Sequence, residues 1–586
     1  MNKIASLERI TLISVIAATV AVFPFLMDPI IIIKLFILSV GSFFLILKIV
    51  FNWKQIKITI FSNRLVFYLL LIYVSFNFIS AFFTNQDTYR TFFGSWGRNN
   101  GLLVTLFLAL IFLAASMFSS IGTIEEILNS LFYLGLFYST YAWLQFYGKD
   151  PITLILPWWK RPGEPIMLTL GNSNFASILL AMTFSGTLVK FIKSSFTKPA
   201  KYISCVSFFS HSLLIRKIDT QGKIAFAVGF VIIIFVFLFY SRDRLLRVIG
   251  AFWGVGGVFT GIFGVLALFN IGFFADLLSD NIRALQDRYY TWLAAIEMMK
   301  EFPLFGIGVD NFKDEYRKYR LPNSYELQTG QPFVDFDNAH SLFFQIGATL
   351  GLPVLAIFLL LIIAISIRGI MNLTTGQNKL VTSGLISIWF IYLINSFVSI
   401  DNLALSVWGW LSAGALVRMS SNDSIDKLDL NLKIKTTLKN RVISSILIVC
   451  SLLPSITLIP VLLNENRIYR LISKLPQLQL DIDRTIIAES LFSEAQKTNQ
   501  IGLKLLVVDY LGYAKFYEEA EILAYEVVKD QPNSFSARIL LAKSLDFQGK
   551  FEEAIPVWKK TIELDPLNES LKIKLAESLA KSEPQQ

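Results

Sequence analysis

His340 is one of two histidines in 586 residues, and it heads an apolar run in "VDFDNAHSLFFQIGATLGLP" (334–353). A neutral imidazole titrates near pH ~6.5, so it can take a proton from an attacking hydroxyl at ambient pH. Asp335 and Asp337, just ahead of it, could orient the ring or hold its protonated form. The same Asp-x-Asp pair could instead take a divalent metal. A histidine placed this way suits general-base chemistry at a membrane surface.

A second set of residues puts positive charge between apolar runs. "GSWGRNNGLL" carries Arg98, with Arg90 shortly before it. Lys160 and Arg161 precede "TLGNSNFAS", which holds Asn172 and Asn174. The hairpin "IRKIDTQGKIAF" offers Arg216, Lys217 and Lys223, and "DRYYTWLAAIEMMKEFPLFGIGVDNF" contributes Arg288 and Trp292. The planar guanidinium fork matches phosphate oxygens two at a time and stays charged at any accessible pH. One arginine alone is explained by snorkelling to lipid headgroups. Arg98, Arg161, Arg216 or Lys223, and Arg288 on four loops at one membrane face would together make a site for a lipid-linked diphosphate. Asn172, Asn174, Trp292 and Asp337 complete the expected diphosphate- and glycan-binding set.

The elements that must position these residues follow from composition. Hydrophobic residues make up 54% of the chain and charged residues 16%, with 52 phenylalanines. Several stretches run for about 20 residues almost without charge, the length of a bilayer-crossing helix. The chain is therefore expected to be an all-α, polytopic membrane protein with about 13 spans. They are placed near 10–27, 29–50, 64–83, 101–119, 126–147, 170–192, 202–217, 222–240, 246–274, 341–367, 381–399, 402–419 and 442–463. The net charge of +10 does not signal nucleic acid, because the basic residues lie in short loops rather than on one soluble face. Cys205 and Cys450 give neither a disulfide framework nor a zinc spacing.

Charge in the loops sets the orientation. With the N-terminus inside, Lys54, Lys57 and Arg64 face the cytoplasm, as do Lys193, Lys198 and Lys201, then Arg242, Arg244 and Arg247, then Lys433, Lys435, Lys439 and Arg441. The large loop 275–340 and the C-terminal tail then face outward from the inner membrane. Within that loop, Arg288, Trp292 and Ala295 share one helix face by their spacing. "GIGVDNF" lacks the strand and lysine of a nucleotide loop and reads as a tight re-entrant turn. His211, inside an apolar run, reads as a hydrogen-bonded core residue.

After Asn464 the sequence becomes charged and helical, and it repeats. "YEEAEILAYEVVKDQP" (517–532) aligns with "FEEAIPVWKKTIELDP" (551–566) at an offset of 34 residues, matching Tyr517 to Phe551, Ala520 to Ala554 and Pro532 to Pro566. That is the tetratricopeptide period and pattern. A helical stretch at 483–499 supplies a third, degenerate unit. The expected division is a transmembrane domain over 1–463 and a soluble tetratricopeptide-like domain over 464–586, which could bind a protein partner or only cap the exposed end.

The outer-loop motifs "GSWGRNNGLL", "TLGNSNFAS", "DRYYTWLAAIEMMKEFPLFGIGVDNF" and "DNAHSLFFQIGATLGLP" occur in the order found in the O-antigen ligase superfamily, which the chain resembles over residues 90–420. The resemblance implies a GT-C-like ligase architecture and a membrane glycosyltransferase that needs no metal, nucleotide or other cofactor. The donor would be a polyprenyl-diphosphate-linked glycan and the acceptor a glycan, lipid or protein. Arg288 would engage the diphosphate, and His340 would activate the acceptor hydroxyl for inverting attack. Two departures stand out: His340-Ser341 replaces the family's His-Asn, and "DTQGK" replaces a Ser/Thr-x-x-Arg-Gly stretch, leaving Lys223 or Arg216 as substitutes. A polymerase of the same superfamily and a non-enzymatic transporter or scaffold are the alternatives.

Overall fold

The computed structural model describes residues 6–84, 87–154, 166–195, 199–268, 279–322, 336–376, 378–420, 438–474 and 481–582, and the single positions 324, 327, 330 and 333. These residues form helices and loops, with no strand among them. In lipid, every backbone polar group must be satisfied within the protein, and an apolar helix does so along its own length. Seven helices are long and apolar enough to cross a membrane: Ile31–Phe51, Arg64–Thr84, Ser173–Lys193, Thr220–Phe239, Leu352–Thr375, Lys379–Val398 and Val442–Lys474. Leu102–Ser116 and Leu403–Met419 are shorter apolar helices. A helix also lies within each remaining stretch expected to span.

Two of those stretches differ from expectation. The first is helical only over Leu7–Val20. Pro24 and Pro29 cannot continue a helix, and Asp28 accepts from the Ile30 and Ile31 amides at 3.0 Å each, starting the next helix instead. The stretch 341–367 is broken at Gly351, whose φ is +93°, giving Leu342–Leu350 and then Leu352–Thr375. The break lets another segment cross the bundle: the Leu352 amide donates to the Pro303 carbonyl at 2.8 Å.

Ser173–Lys193 and Leu403–Met419 are buried along most of their length and form the centre of the bundle. Small residues permit the close packing that drives helix association in lipid. At Gly414 a side chain would meet the Phe112 carbonyl oxygen at 2.3 Å. His211 is a core residue, its Nδ1 2.8 Å from the Ser207 carbonyl and its Nε2 3.1 Å from Thr183 Oγ1.

The bundle has two distinct ends. At one, Asn63 donates to the Val417 carbonyl, Arg418 to the Phe118 carbonyl and Lys193 to Glu125. At the other, Ser80 donates to the Phe305 carbonyl, Ser95 meets Asp310, and the Asp28 amide donates to Glu465. The expected cytoplasmic basic residues Arg64 and Lys193 lie at the first end, and His340 lies at the second.

The helix Leu438–Lys474 continues without a break past residue 463, where the sequence changes character. At 1.5 Å per residue it is about 55 Å long, more than a bilayer requires. It carries the chain to a stack of six helices: Asp481–Gln496, Ile501–Tyr513, Tyr517–Asp530, Phe535–Phe547, Phe551–Leu564 and Glu569–Ser582. Ala520, Leu523, Ala524, Ala554 and Trp558 fill their shared core. The aligned alanines are thus the points where neighbouring helices approach.

Candidate functional site

Arg288 sits on the helix Ser279–Glu301, whose inner face is fixed by packing. Trp292 is buried, stacked on Phe344 at 5.3 Å and tilted against Phe397 at 5.9 Å. The preceding residue, Thr291, donates to the Ala339 carbonyl at 3.2 Å, joining this helix to the residue before His340. Arg288 therefore has a rigid base and a half-buried side chain. Trp292, expected to touch substrate, packs the helix against Phe344 and Phe397.

Between that helix and His340, the segment 303–311 turns tightly. Ile307 and Gly308 donate to the Ala348 and Thr349 carbonyls at 2.9 and 3.0 Å. Gly306 adopts φ +67°, and a side chain there would lie 2.4 Å from the Thr349 carbonyl carbon. The turn is tight, as the sequence suggested. It delivers Asp310 to the Ser95 amide at 2.5 Å, and Asn311 and Asp314 to Arg90 at 2.6 Å each.

His340 takes a left-handed backbone conformation, φ +49°, which non-glycine residues seldom adopt unless their surroundings enforce it. Its amide donates to Asn338 Oδ1 at 2.8 Å, Gln345 caps the Ala339 amide at 2.8 Å, and Phe336 meets the ring edge-on at 5.7 Å. Loss of solvent, followed by the positive fields of Arg288 and Arg98, pushes the imidazole down to about 4, with Asp337 opposing. The ring is neutral near pH 7, with a lone pair available.

Asp337 is tied in turn to Arg98, Nε to Oδ2 at 2.6 Å and Nη2 to Oδ1 at 3.2 Å, and Asn338 also donates to it. Arg288 has a partner the sequence reading passed over. With its oxygen turned to the guanidinium, the Gln221 carboxamide accepts from Nη2 at 2.5 Å and Nη1 at 2.6 Å. Gln221 is the residue before Gly222 in "DTQGK", the stretch expected to supply a cation.

Arg288, His340, Arg98 and Asp337 thus come together, and Gln221 joins them. Lys223 and Arg216 are exposed on the turn and first helical residues around Gln221. Asn172 caps the helix Ser173–Lys193, accepting from the Asn174 and Phe175 amides at 2.9 and 3.4 Å. That engagement places Asn172 and Asn174 at the helix start. Arg161 and Asp335 lie outside the described residues, and among the described residues no group of three or more acidic, histidine or cysteine side chains could hold a metal.

Behind the His340 loop lies a cavity of about 100 Å³, walled by Arg98, Asn100, Asn338, Ser341, Gln345 and Asp401, with Tyr73, Tyr392 and Trp410 deeper. Ser341 Oγ is buried on its wall without a hydrogen-bond partner. Burial raises the Asp401 carboxyl to about 6, although Ser406 and the Asn402 amide hydrogen-bond to it.

A family model described as O-antigen ligase matches residues 212–359. The matched stretch contains Gln221, Arg288, Asp337 and His340, whereas Arg98 lies outside it. No curated protein matches the chain. The match supports the O-antigen ligase superfamily and, together with the membrane-crossing helices, a membrane glycosyltransferase of ligase or polymerase type.

Proposed function

We propose that this protein moves a glycan from a polyprenyl-diphosphate carrier to an acceptor at the outer face of the inner membrane. The observation that carries the reading is the hydrogen bond from Thr291 to the Ala339 carbonyl at 3.2 Å, which ties the Arg288 helix to the residue before His340. The guanidinium charge then adds to burial in lowering the basicity of the imidazole. A base and an anion-stabilising group side by side are what transfer from a diphosphate leaving group requires.

In this reading His340 takes the proton from the acceptor hydroxyl as that oxygen attacks the anomeric carbon. The bond from that carbon to the diphosphate oxygen breaks, and the lipid diphosphate leaves with the electron pair, inverting the configuration. Arg288 stabilises the growing negative charge, with Gln221 holding its fork. A diphosphate between the guanidinium and the ring would neutralise the Arg288 field, which adds to burial in keeping the imidazole weakly basic. Arg98 orients Asp337, which favours the protonated imidazole once it forms. No metal or other cofactor is assigned a step.

The thirteen-span arrangement, with its N-terminus inside and its C-terminal helices outside, belongs to the same proposal. The gathering of expected cytoplasmic basic residues at the end opposite His340 supports it. We read residues 464–586 as a tetratricopeptide-like domain on the strength of the 34-residue offset and the stacked helices. A polymerase would use the same donor site with a second lipid-linked glycan as acceptor. Mass spectrometry of surface glycoconjugates from cells with and without the protein tests the assignment. A missing conjugate with accumulated lipid-linked glycan is expected, and an unchanged profile contradicts it.

A further inference from the structure

The C-terminal helices touch the outer loops through the long helix Leu438–Lys474, the start of the helix Ile501–Tyr513 and the two inter-repeat turns at Gln531 and Asp565. Trp96 packs on Gly502 and donates to Glu465 at 3.1 Å. Arg90 donates to Gln531 at 2.7 Å. Asp565 accepts from Arg317 at 2.7 Å and from Arg320 at 2.5 Å, with all three side chains at most 2% exposed. The Arg317 guanidinium also lies 3.8 Å over the Phe535 ring. A repeat of 34 residues thus presents one turn after another to the membrane domain.

The third contact leads toward His340. Arg317 donates with its other nitrogen to the Phe333 carbonyl at 3.2 Å. Its neighbour Tyr316 stacks on Phe312 at 5.8 Å and meets Phe336 edge-on at 5.4 Å, and Phe336 meets His340 at 5.7 Å. A buried carboxylate is costly unless fully paired, and a pair that links distant segments specifies one arrangement of them. His340 itself holds a backbone conformation that its surroundings must impose.

We infer that the C-terminal helical stack is a positioning domain for the reaction, with Asp565 a positioning residue that fixes Arg317 and so the segment presenting His340. The inference rests on His340 acting at the reaction centre. It assigns the stack a task in each turnover, apart from any partner it binds.

The test uses the full chain in lipid nanodiscs, comparing wild type with Asp565→Asn and Asp565→Glu. Transfer kinetics are read beside hydrogen exchange over Phe336–Gln345. Asp565→Asn is expected to lower kcat by about 100-fold, the scale of a small misplacement of a reacting group, while donor KM stays within about twofold. Exchange in the segment rises about tenfold, and Asp565→Glu restores both measures in large part. If Asp565→Asn does not survive purification, Arg317→Lys makes the same comparison, keeping the charge and losing the fork. Unchanged protection overturns the inference, and so does lost protection with wild-type kcat. If wild type transfers no glycan, the functional reading fails, and the exchange comparison alone decides whether Asp565 holds the segment.

Discussion

Arg98 and Asp337, 239 residues apart in sequence, close a two-pronged ion pair beside His340, and about one third of each side chain remains exposed. The pair acts on the imidazole with opposite signs. Arg98 lowers its proton affinity and Asp337 raises it, both by less than burial does.

The pH dependence of transfer follows. Protonating His340 removes the base, so activity is lost as pH falls through its pKa. With the imidazole held near 4 in the empty site, the acid limb of kcat/KM is expected well below the ~6.5 of a free histidine. Arg98→Ala removes a depressing charge and moves that limb upward. Asp337→Asn removes the opposing one and moves it downward. Rate profiles at fixed ionic strength check both signs, and a shared direction contradicts the assignment.

Gln221 holds the Arg288 fork from a neighbouring helix. Gln221→Ala is expected to raise donor KM by about tenfold or more, from ~1.5 kcal/mol upward for loss of hydrogen bonding to a charged group, with a smaller effect on acceptor KM. Gln221→Arg places a second guanidinium there and should tighten inorganic pyrophosphate inhibition. Steady-state inhibition measurements check both.

Gly306 combines φ +67° with backbone atoms of Ala348, Thr349 and Leu350 pressed where a side chain would go. Gly306→Ala is expected to destabilise by about 2–4 kcal/mol, the sum of left-handed strain and overpacking. Thermal unfolding in detergent reads this as a lower Tm.

Sidedness is checked with a cysteine at Lys581 in a chain whose Cys205 and Cys450 are replaced by serine. An impermeant thiol reagent added to cells with a permeabilised outer envelope should label it. Labelling only after the inner membrane is lysed contradicts the orientation.

The legible parts of the site were those with local signatures. His340, Asp337 and Arg98 stood beside apolar runs, where an ionisable side chain needs a reason. The glycines of "GIGVDNF" announced the tight turn, and the aligned alanines announced close helix packing. The break at Gly351 was missed, the stretch 341–367 being read as one span, although Gly-Leu-Pro interrupts its apolar run. Gln221 was missed because a neutral amide has no charge pattern, and only the approach of the helix Thr220–Phe239 to Arg288 gives it a role. Asn172 precedes a helix and could have been read as a cap rather than as a ligand. Arg317 and Asp565 lie 248 residues apart, and no local pattern pairs charges across such a distance.

The most direct test of the central claim is single-turnover glycan transfer by the reconstituted protein, following acceptor glycosylation and lipid diphosphate release together. Wild type should form both products in equal amounts. His340→Ala and Arg288→Ala should each slow the step by about 100-fold or more, and the double variant should cost less than the product of the two, since one group acts on the other. Wild-type transfer by the His340→Ala protein would contradict the account.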